Sequence, residues 1–263
     1  MQFVNSESLL DEKTQKEVAN LVKTVLDDLS TKARRSLEEV KKAKPFHSAF
    51  LTDETILHGD LASSVETTVG TRFLPAIAEI VAKGRYSEVH REYEILADLD
   101  SAKVTMVDTI VNSLRSGMRK PNHLEEMREI MSVSSSDRTS VRIIADLYVG
   151  DHEDGPLFME IKAPLPNLDQ CAESKRKMLL FLVVNEGKQA QAFLGLTYNP
   201  YVERHLYKWS FTKRIMDMEK EVLIGKEMWD KLGGAGTFEA ILRTIKEASD
   251  EWRKSKQQQT KLF

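Results

Sequence analysis

The chain is poor in cysteine: Cys171 is the only one among 263 residues. That excludes an intrachain disulfide framework and a thiolate-rich zinc centre. Lying in a segment that reads as helix, Cys171 is expected to be a small buried hydrophobe. Seven prolines and twelve glycines are too few for a low-complexity or collagen-like chain. Long apolar runs are also missing. The longest, Met178–Val184, falls far short of the roughly 20 residues that span a bilayer. The first residues lack the basic start and apolar core of a signal peptide, so a cytoplasmic protein is expected. Nor is there an excess of positive charge: 38 Lys and Arg face 41 Asp and Glu, a net charge of −3. This argues against a protein that coats nucleic acid unselectively, but leaves room for a local basic cleft. A hydrophobic content of 41% and a charged content of 30% fit a globular chain of one large domain or two modest ones.

The most informative stretch runs from Val141 to Ala163. Two apolar runs, Val141–Val149 and Leu157–Ala163, flank a turn-rich segment from Gly150 to Pro156. This pattern predicts a β-hairpin. A loop symmetric about Glu153 pairs Ile144 with Lys162, Asp146 with Glu160 and Tyr148 with Phe158. Side chains alternate along a strand, so Asp146, Glu160 and Lys162 then share one face. Two carboxylates beside one ammonium suit Mg²⁺, a hard cation that takes oxygen ligands and keeps part of its own water. Such an ion steadies charge developing on phosphorus, and a neighbouring lysine orients the attacking water. The same residues also fit a merely solvated hairpin face. Glu-x-Lys recurs at Glu39–Lys41, Glu173–Lys175 and Glu186–Lys188, all in helical or turn contexts. Only the copy at Glu160 lies in an apolar strand with an aspartate in register.

Around the hairpin, periodicity predicts alternating helices and strands. Helix is expected over 6–43, with Leu21, Val22, Val25, Leu26 and Leu29 in period. Its second, charged part, Thr31–Lys44, carries Lys32, Arg34, Arg35, Lys41, Lys42 and Lys44 and reads as a solvated face. A further helix is expected over 61–83, with Thr71 or a neighbour capping the part that contains Pro75 and Gly84 as its stop. Val89–Leu99 alternates as a strand, and 101–131 returns to helix with breaks at Gly117 and Pro121. Ser132–Ser140 reads as a polar link. After Lys162, Ala163-Pro-Leu-Pro166 cannot continue a paired strand. Asn167 or Asp169 then caps a helix reaching about Glu186, and a strand follows over Ala190–Thr197. Strand, helix and strand make a right-handed crossover, so this last strand runs parallel to the Glu160 strand. Gly233-Gly-Ala-Gly-Thr237 lacks the spacing of a nucleotide-binding loop and separates a short helix from a last one over Thr237–Lys254. The final residues, 257–263, read as frayed.

Asp146 followed by Glu160-Ile-Lys162 resembles the PD-(D/E)xK nuclease signature, with Ala145 where proline often stands. The blocks Glu160-Ile-Lys-Ala-Pro-Leu-Pro-Asn-Leu-Asp-Gln-Cys171, Tyr198-Asn-Pro-Tyr201, Trp209-Ser-Phe211 and Val222-Leu-Ile-Gly-Lys-Glu-Met-Trp-Asp230 are similar to the TdeIII-type family of type II restriction endonucleases. The resemblance covers roughly residues 60 to 245. It implies a Mg²⁺-dependent enzyme that cuts double-stranded DNA at a short palindrome of the GGNCC kind. By position it implies Asp146, Glu160 and Lys162 as catalytic residues, with the Ile161 carbonyl as a further metal ligand. A homodimer cutting a palindrome and a cognate DNA methyltransferase are the partners it suggests.

The expected fold class is α/β: a restriction-endonuclease-like α-β-β-β-α-β core with a mixed sheet flanked by helices, and helical additions at both ends. The expected organisation is a helical extension over 1–60, the core over 61–197, and a DNA-recognition and helical region over 198–263, together expected to make one compact domain. In that last region basic and aromatic residues interleave. Arg204, His205, Lys208, Lys213 and Arg214, with Lys175 near the start of its helix, are the candidate DNA contacts. Trp209 and Phe211 are expected to pack beneath them. Glu66 and Glu79 are the acidic residues a first core helix would lend to the site, although both read first as surface glutamates. Two other readings stay open: a structure-selective repair or recombination nuclease of the same fold, and a non-catalytic DNA-binding or interaction domain.

Overall fold

The computed structural model describes residues 10–31 and 35–260. The expected helix start at Ser6, the side chains of Lys32 and Arg34, and the last three residues of the tail lie outside the described residues. Two compact units are present. One comprises Glu12–Ile77 with 241–260; the other comprises 10–11 with Ala78–Ala240.

In the first unit, α1 spans Glu12–Thr31 and buries Val18, Val22 and Val25. Two short helices follow, α2 (Leu37–Ala43) and α3 (Pro45–Phe50). Ser36 and Glu39 close a reciprocal capping box on α2, and Pro45 opens α3 where its missing N–H costs nothing. The charged segment is paired with acids: Arg35 and Lys44 both meet Asp60, and Lys41 meets Asp53. The next helix, α4 (Asp53–Thr68), starts eight residues before the expected 61 (61 − 53), because Thr52 caps it through the Thr55 amide. Thr71 caps nothing. Its hydroxyl donates back to the Thr67 carbonyl at 2.7 Å, and Val69–Phe73 forms a π-helical turn in which the Leu74 amide reaches Val69. The wider turn carries the helix past Pro75, whose ring would clash with the preceding turn of a regular helix. Helix α5 then spans Leu74–Lys83.

The second unit is built on a sheet, for which α5 supplies the preceding helix. Among the described residues five strands form one sheet in the order β1-β2-β3-β4-β5. β1 is Val89–Asp100; α6 (Ser101–Ser116) and α7 (His123–Ser132) separate it from β2, Arg138–Val149. The outer turn of β2, Arg138–Ser140, takes over part of the expected polar link. β3 is Leu157–Lys162, α8 is Leu168–Val184 and β4 is Gln191–Leu196. A short α9 (Ser210–Ile215), β5 (Val222–Ile224), α10 (Lys226–Gly233) and α11 (Thr237–Thr260) complete the chain. β1, β2 and β3 are antiparallel neighbours, and β4 and β5 run parallel to β3. This is a mixed sheet flanked by helices, the architecture of restriction-endonuclease-like folds. Gly117 ends α6 in the left-handed conformation at φ +76°, and α7 starts at His123 with Asn122 as its cap, two residues after Pro121, where its start was expected. α6 buries Val104, Val107, Ile110, Val111 and Leu114, the stripe its sequence period marks, against α8 and the β1–β2 strands.

The β1–β2 ladder breaks at one step. Its register passes from Arg91↔Leu147 to Tyr93↔Ala145 and skips Glu92 and Asp146. Glu92 sits at φ +49°, a conformation that L residues rarely adopt. Two observations show that alternation slips there. His90 and Tyr93, three apart, stack at 5.2 Å, and Tyr93 stacks on Tyr148 at 4.4 Å. In a regular strand, residues three apart would face opposite sides.

Candidate active site

The hairpin register begins as expected, with Val149↔Leu157, Tyr148↔Phe158 and Leu147↔Met159. The ladder then stops, so the expected pairings of Asp146 with Glu160 and of Ile144 with Lys162 do not form. Instead the Asp146 carboxylate accepts the Ile161 amide at 2.8 Å. A side chain thus takes over a main-chain hydrogen bond at the point where the strands part. The same Oδ2 accepts from Lys162 Nζ at 2.7 Å, and that ammonium lies 3.2 Å from Glu160 Oε2. The structure therefore brings Asp146, Glu160 and Lys162 together on one face.

α8 supplies the rest of the cluster. Asn167 caps it with a reciprocal partner in Gln170, and the helix packs across β2, β3 and β4. Its Ser174 hydroxyl donates to Glu160 Oε2 at 3.1 Å, and Lys177 Nζ donates to Glu160 Oε1 at 2.8 Å. Glu160 is 1% exposed, so protein groups and not water meet its carboxylate. Burial works against the Lys162 charge, but Glu160 and then Asp146 outweigh it and hold the ammonium above the usual lysine pKa. Two carboxylates and two ammonium groups form a compact cluster of zero net charge.

Among the described residues no three His, Cys, Asp or Glu side chains gather to hold a metal. The donors that do converge are the carboxylates of Asp146 and Glu160, both hard oxygen ligands with no imidazole or thiolate in contact. That chemistry fits a hard divalent cation bound by few protein groups and completed by water and phosphate, and not a structural zinc.

The basic run at 175–177 points three ways, because successive helical side chains are about 100° apart. Arg176 reaches Asp108 at 2.6 Å and Lys177 reaches Glu160. Lys175 does not face a phosphate, contrary to expectation. It is fully buried, with Nζ held between Glu126 of α7 and Glu221 just before β5. His123 completes that network, its Nδ1 lying 2.9 Å from Glu221. Arg204 is likewise turned inward, braced on Glu227 and on the carbonyls of Met218 and Val222. His205 is exposed beside Glu203, 3.2 Å away. Lys208, Lys213 and Arg214 are exposed, and among the described residues no carboxylate lies within ion-pair distance of them. Glu66 is exposed, and Glu79 is occupied by Lys83 and Arg91.

The aromatic residues of 198–214 fix the loop that leaves the site. Tyr207 donates to the Pro164 carbonyl at 2.8 Å and Trp209 Nε1 donates to the Pro166 carbonyl at 2.7 Å. Trp209 and Phe211 meet edge-on at 5.6 Å, packed as expected. Cys171 is buried near Thr212 and the Pro166 carbonyl, and burial pushes its thiol up to about 11, the setting of a structural and not a nucleophilic cysteine. Ser174 was missed by sequence reasoning, and Lys177 was marked with Lys175 and Arg176 only as lying near a helix start that favours a phosphate, not as a partner of Glu160. Their signal was the i, i+3 spacing on a helix that a right-handed crossover must lay over the Glu160 strand.

Comparisons with known proteins bear on the family to which the chain belongs. Residues 10–249 match the model of a family described as type II restriction endonuclease, HinfI. The type II restriction enzyme HgiBI of Herpetosiphon aurantiacus is 28% identical over 218 residues, covering 81% of this chain and 79% of that protein. HgiCII of the same organism, also a type II restriction enzyme, is 28% identical over 210 residues, covering 78% and 77%. The type II restriction enzyme MjaII of Methanocaldococcus jannaschii is 27% identical over 266 aligned positions, covering 89% of this chain and 69% of that protein. The matching model carries the name HinfI where the sequence blocks suggested TdeIII; both names lie within one enzyme class. The chain belongs to the HinfI family of type II restriction endonucleases, which are site-specific deoxyribonucleases.

Proposed function

We propose that this enzyme hydrolyses double-stranded DNA in a Mg²⁺-dependent reaction, with Asp146, Glu160 and Lys162 as its PD-(D/E)xK catalytic residues. The observation that carries the reading is the position of Lys162 Nζ, 2.7 Å from Asp146 and 3.2 Å from Glu160. Asp146 and Glu160 would hold the ion, with the Ile161 carbonyl as a further ligand. When bound, Mg²⁺ supplies positive charge to the phosphorane-like transition state and acidity to the attacking water. Lys162 orients that water and offsets negative charge gathering on the phosphate oxygens. The water oxygen forms the new bond to phosphorus and gives up a proton to solvent, the bridging P–O bond breaks, and the leaving oxygen takes a proton from solvent.

The exposed Lys208, Lys213 and Arg214, with His205, are the proposed DNA contacts. Their segment is tied to the loop after Lys162 by Tyr207 and Trp209, which supports placing DNA beside the carboxylates. Residues 198–263 are accordingly read as the recognition region, 61–197 as the nuclease core and 1–60 as a helical extension. The sequence resemblance supports a GGNCC-like palindrome, cut by a homodimer with one site per strand, in a cytoplasmic restriction-modification system with a cognate methyltransferase. Among the described residues no helix is long and apolar enough to cross a membrane.

The test is digestion of a mapped plasmid with and without Mg²⁺, by the wild type and by Glu160→Ala and Lys162→Ala. Discrete fragments that need Mg²⁺ and vanish in both variants, with DNA binding retained, are expected. A smear or fork-selective nicking would favour a structure-selective nuclease, and cleavage retained by either variant would move the site elsewhere.

A further inference from the structure

The Glu-x-Lys motif assigns one lysine to the site, yet the structure holds two. Glu160 has both carboxylate oxygens engaged: Oε1 by Lys177 at 2.8 Å, and Oε2 by Ser174 at 3.1 Å and Lys162 at 3.2 Å. A divalent cation that takes an oxygen of this carboxylate competes with the ammonium group already on that oxygen. The geometry selects which one. Lys162 bridges two carboxylates and is closer to Asp146 than to Glu160. Among the described residues Lys177 has one carboxylate partner, Glu160; the two lysine side chains are about equally exposed, 20% against 22% for Lys162, so the number of partners makes the choice. The flexible four-carbon stem of Lys177 lets the ammonium move while α8 stays in place. The neighbouring Lys175 has no such freedom, being sealed between Glu126 and Glu221.

Resting on the metal-dependent nuclease reading above, we infer that Lys177 is the resident counter-ion of Glu160, displaced when the divalent metal binds and then available to the phosphate of the DNA strand. It is a positioning residue for Glu160 before metal binding. Afterwards it is a mobile positive charge within a side chain's length of the reacting phosphate, a role suited to lysine as a point-charge phosphate binder. Ser174 stays on Oε2 throughout and keeps the carboxylate aimed while its counter-ion changes.

The prediction has an unusual sign: removing a positive charge from the site should tighten metal binding and weaken catalysis. Calcium binding to the full chain without DNA is measured by titration calorimetry for the wild type, Lys177→Met and Lys177→Arg. Lys177→Met is expected to bind Ca²⁺ roughly 3–10-fold more tightly, the range in which a partly buried ion pair competes. Its plasmid cleavage at saturating Mg²⁺ is expected to fall at least about tenfold, the scale of one lost charge-assisted contact. Lys177→Arg should restore wild-type metal affinity and part of the cleavage. Calcium affinity that is unchanged or weaker in Lys177→Met would overturn the inference, as would cleavage that stays at the wild-type level. If Lys177→Met does not fold, Lys177→Gln and Ser174→Ala take its place. Lys177→Gln should tighten binding and Ser174→Ala should not, and equal effects would overturn it. Calcium binding that survives in Glu160→Gln would instead overturn the metal site itself, a failure distinguishable from that of Lys177.

Discussion

The carboxylate of Asp146 accepts the main-chain N–H of Ile161 at 2.8 Å, in the place where β2 would otherwise offer a carbonyl. One side chain therefore parts the strands and faces the site. Asp146→Asn keeps an acceptor for that amide and loses the charge. It should retain the fold and lose at least about 100-fold in cleavage, the scale of several kcal/mol of lost metal-assisted stabilisation. Asp146→Ala should lose as much activity and about 1 kcal/mol of stability besides. Rate assays and denaturant melts separate the two effects.

Glu92 opposes Asp146 in the broken register, at φ +49°. Glu92→Gly should be neutral or stabilising, because glycine enters this region without strain. A β-branched residue there, Glu92→Val, should cost about 1–3 kcal/mol. Urea midpoints on the two variants check the contrast, and equal midpoints would remove the strain argument.

Lys175, Glu126 and Glu221 form a buried network in which no charge meets water. Lys175→Met should lose about 3–5 kcal/mol, because two buried carboxylates are left without their cation. Burial pushes the Glu221 carboxyl up, but Lys175 and then His123 outweigh it and hold the group below the usual glutamate range. A depressed folded-state pKa means that stability is fully present above the unfolded value of 4.5 and falls as pH drops through the lower folded value. Acid unfolding below that value should be steeper in the wild type than in Glu221→Gln.

Asp151 ties the β2–β3 turn to the residues before β1, accepting from the Ser87 hydroxyl and amide and from the Glu88 amide. The Ser87 bonds hold its carboxyl at about 2, against an ordinary 3.8. Its contribution is present above pH 3.8 and is lost as pH falls through about 2. Asp151→Asn should flatten stability in that window and leave neutral-pH cleavage unchanged. A melting series from pH 5 to about 2 measures it.

Much of the core was legible because its signals are local. The apolar runs at Val141–Val149 and from Leu157, broken by a turn-rich loop, give the hairpin and the register at Tyr148↔Phe158. The stripe on α6, the cap at Asn167 and the parallel β4 follow from period, capping chemistry and crossover handedness. β5 was not marked as a strand, since Val222–Ile224 is too short to show a period. The π turn at Val69–Phe73 was equally hidden, because nothing in Gly70 or Thr71 distinguishes a widened helix from a capped break.

Composition and pattern alone determined a mixed α/β chain and put two acids and a lysine on adjacent strands, because strand periodicity is written in neighbouring residues. Only the folded chain decided which of three consecutive basic residues meets Glu160. Lys175 and Lys177 differ by two positions, yet one is sealed in a buried ion network and the other reaches the candidate active site. The seat of α8 against the sheet and α6 sets that difference, through packing among residues far apart in the sequence.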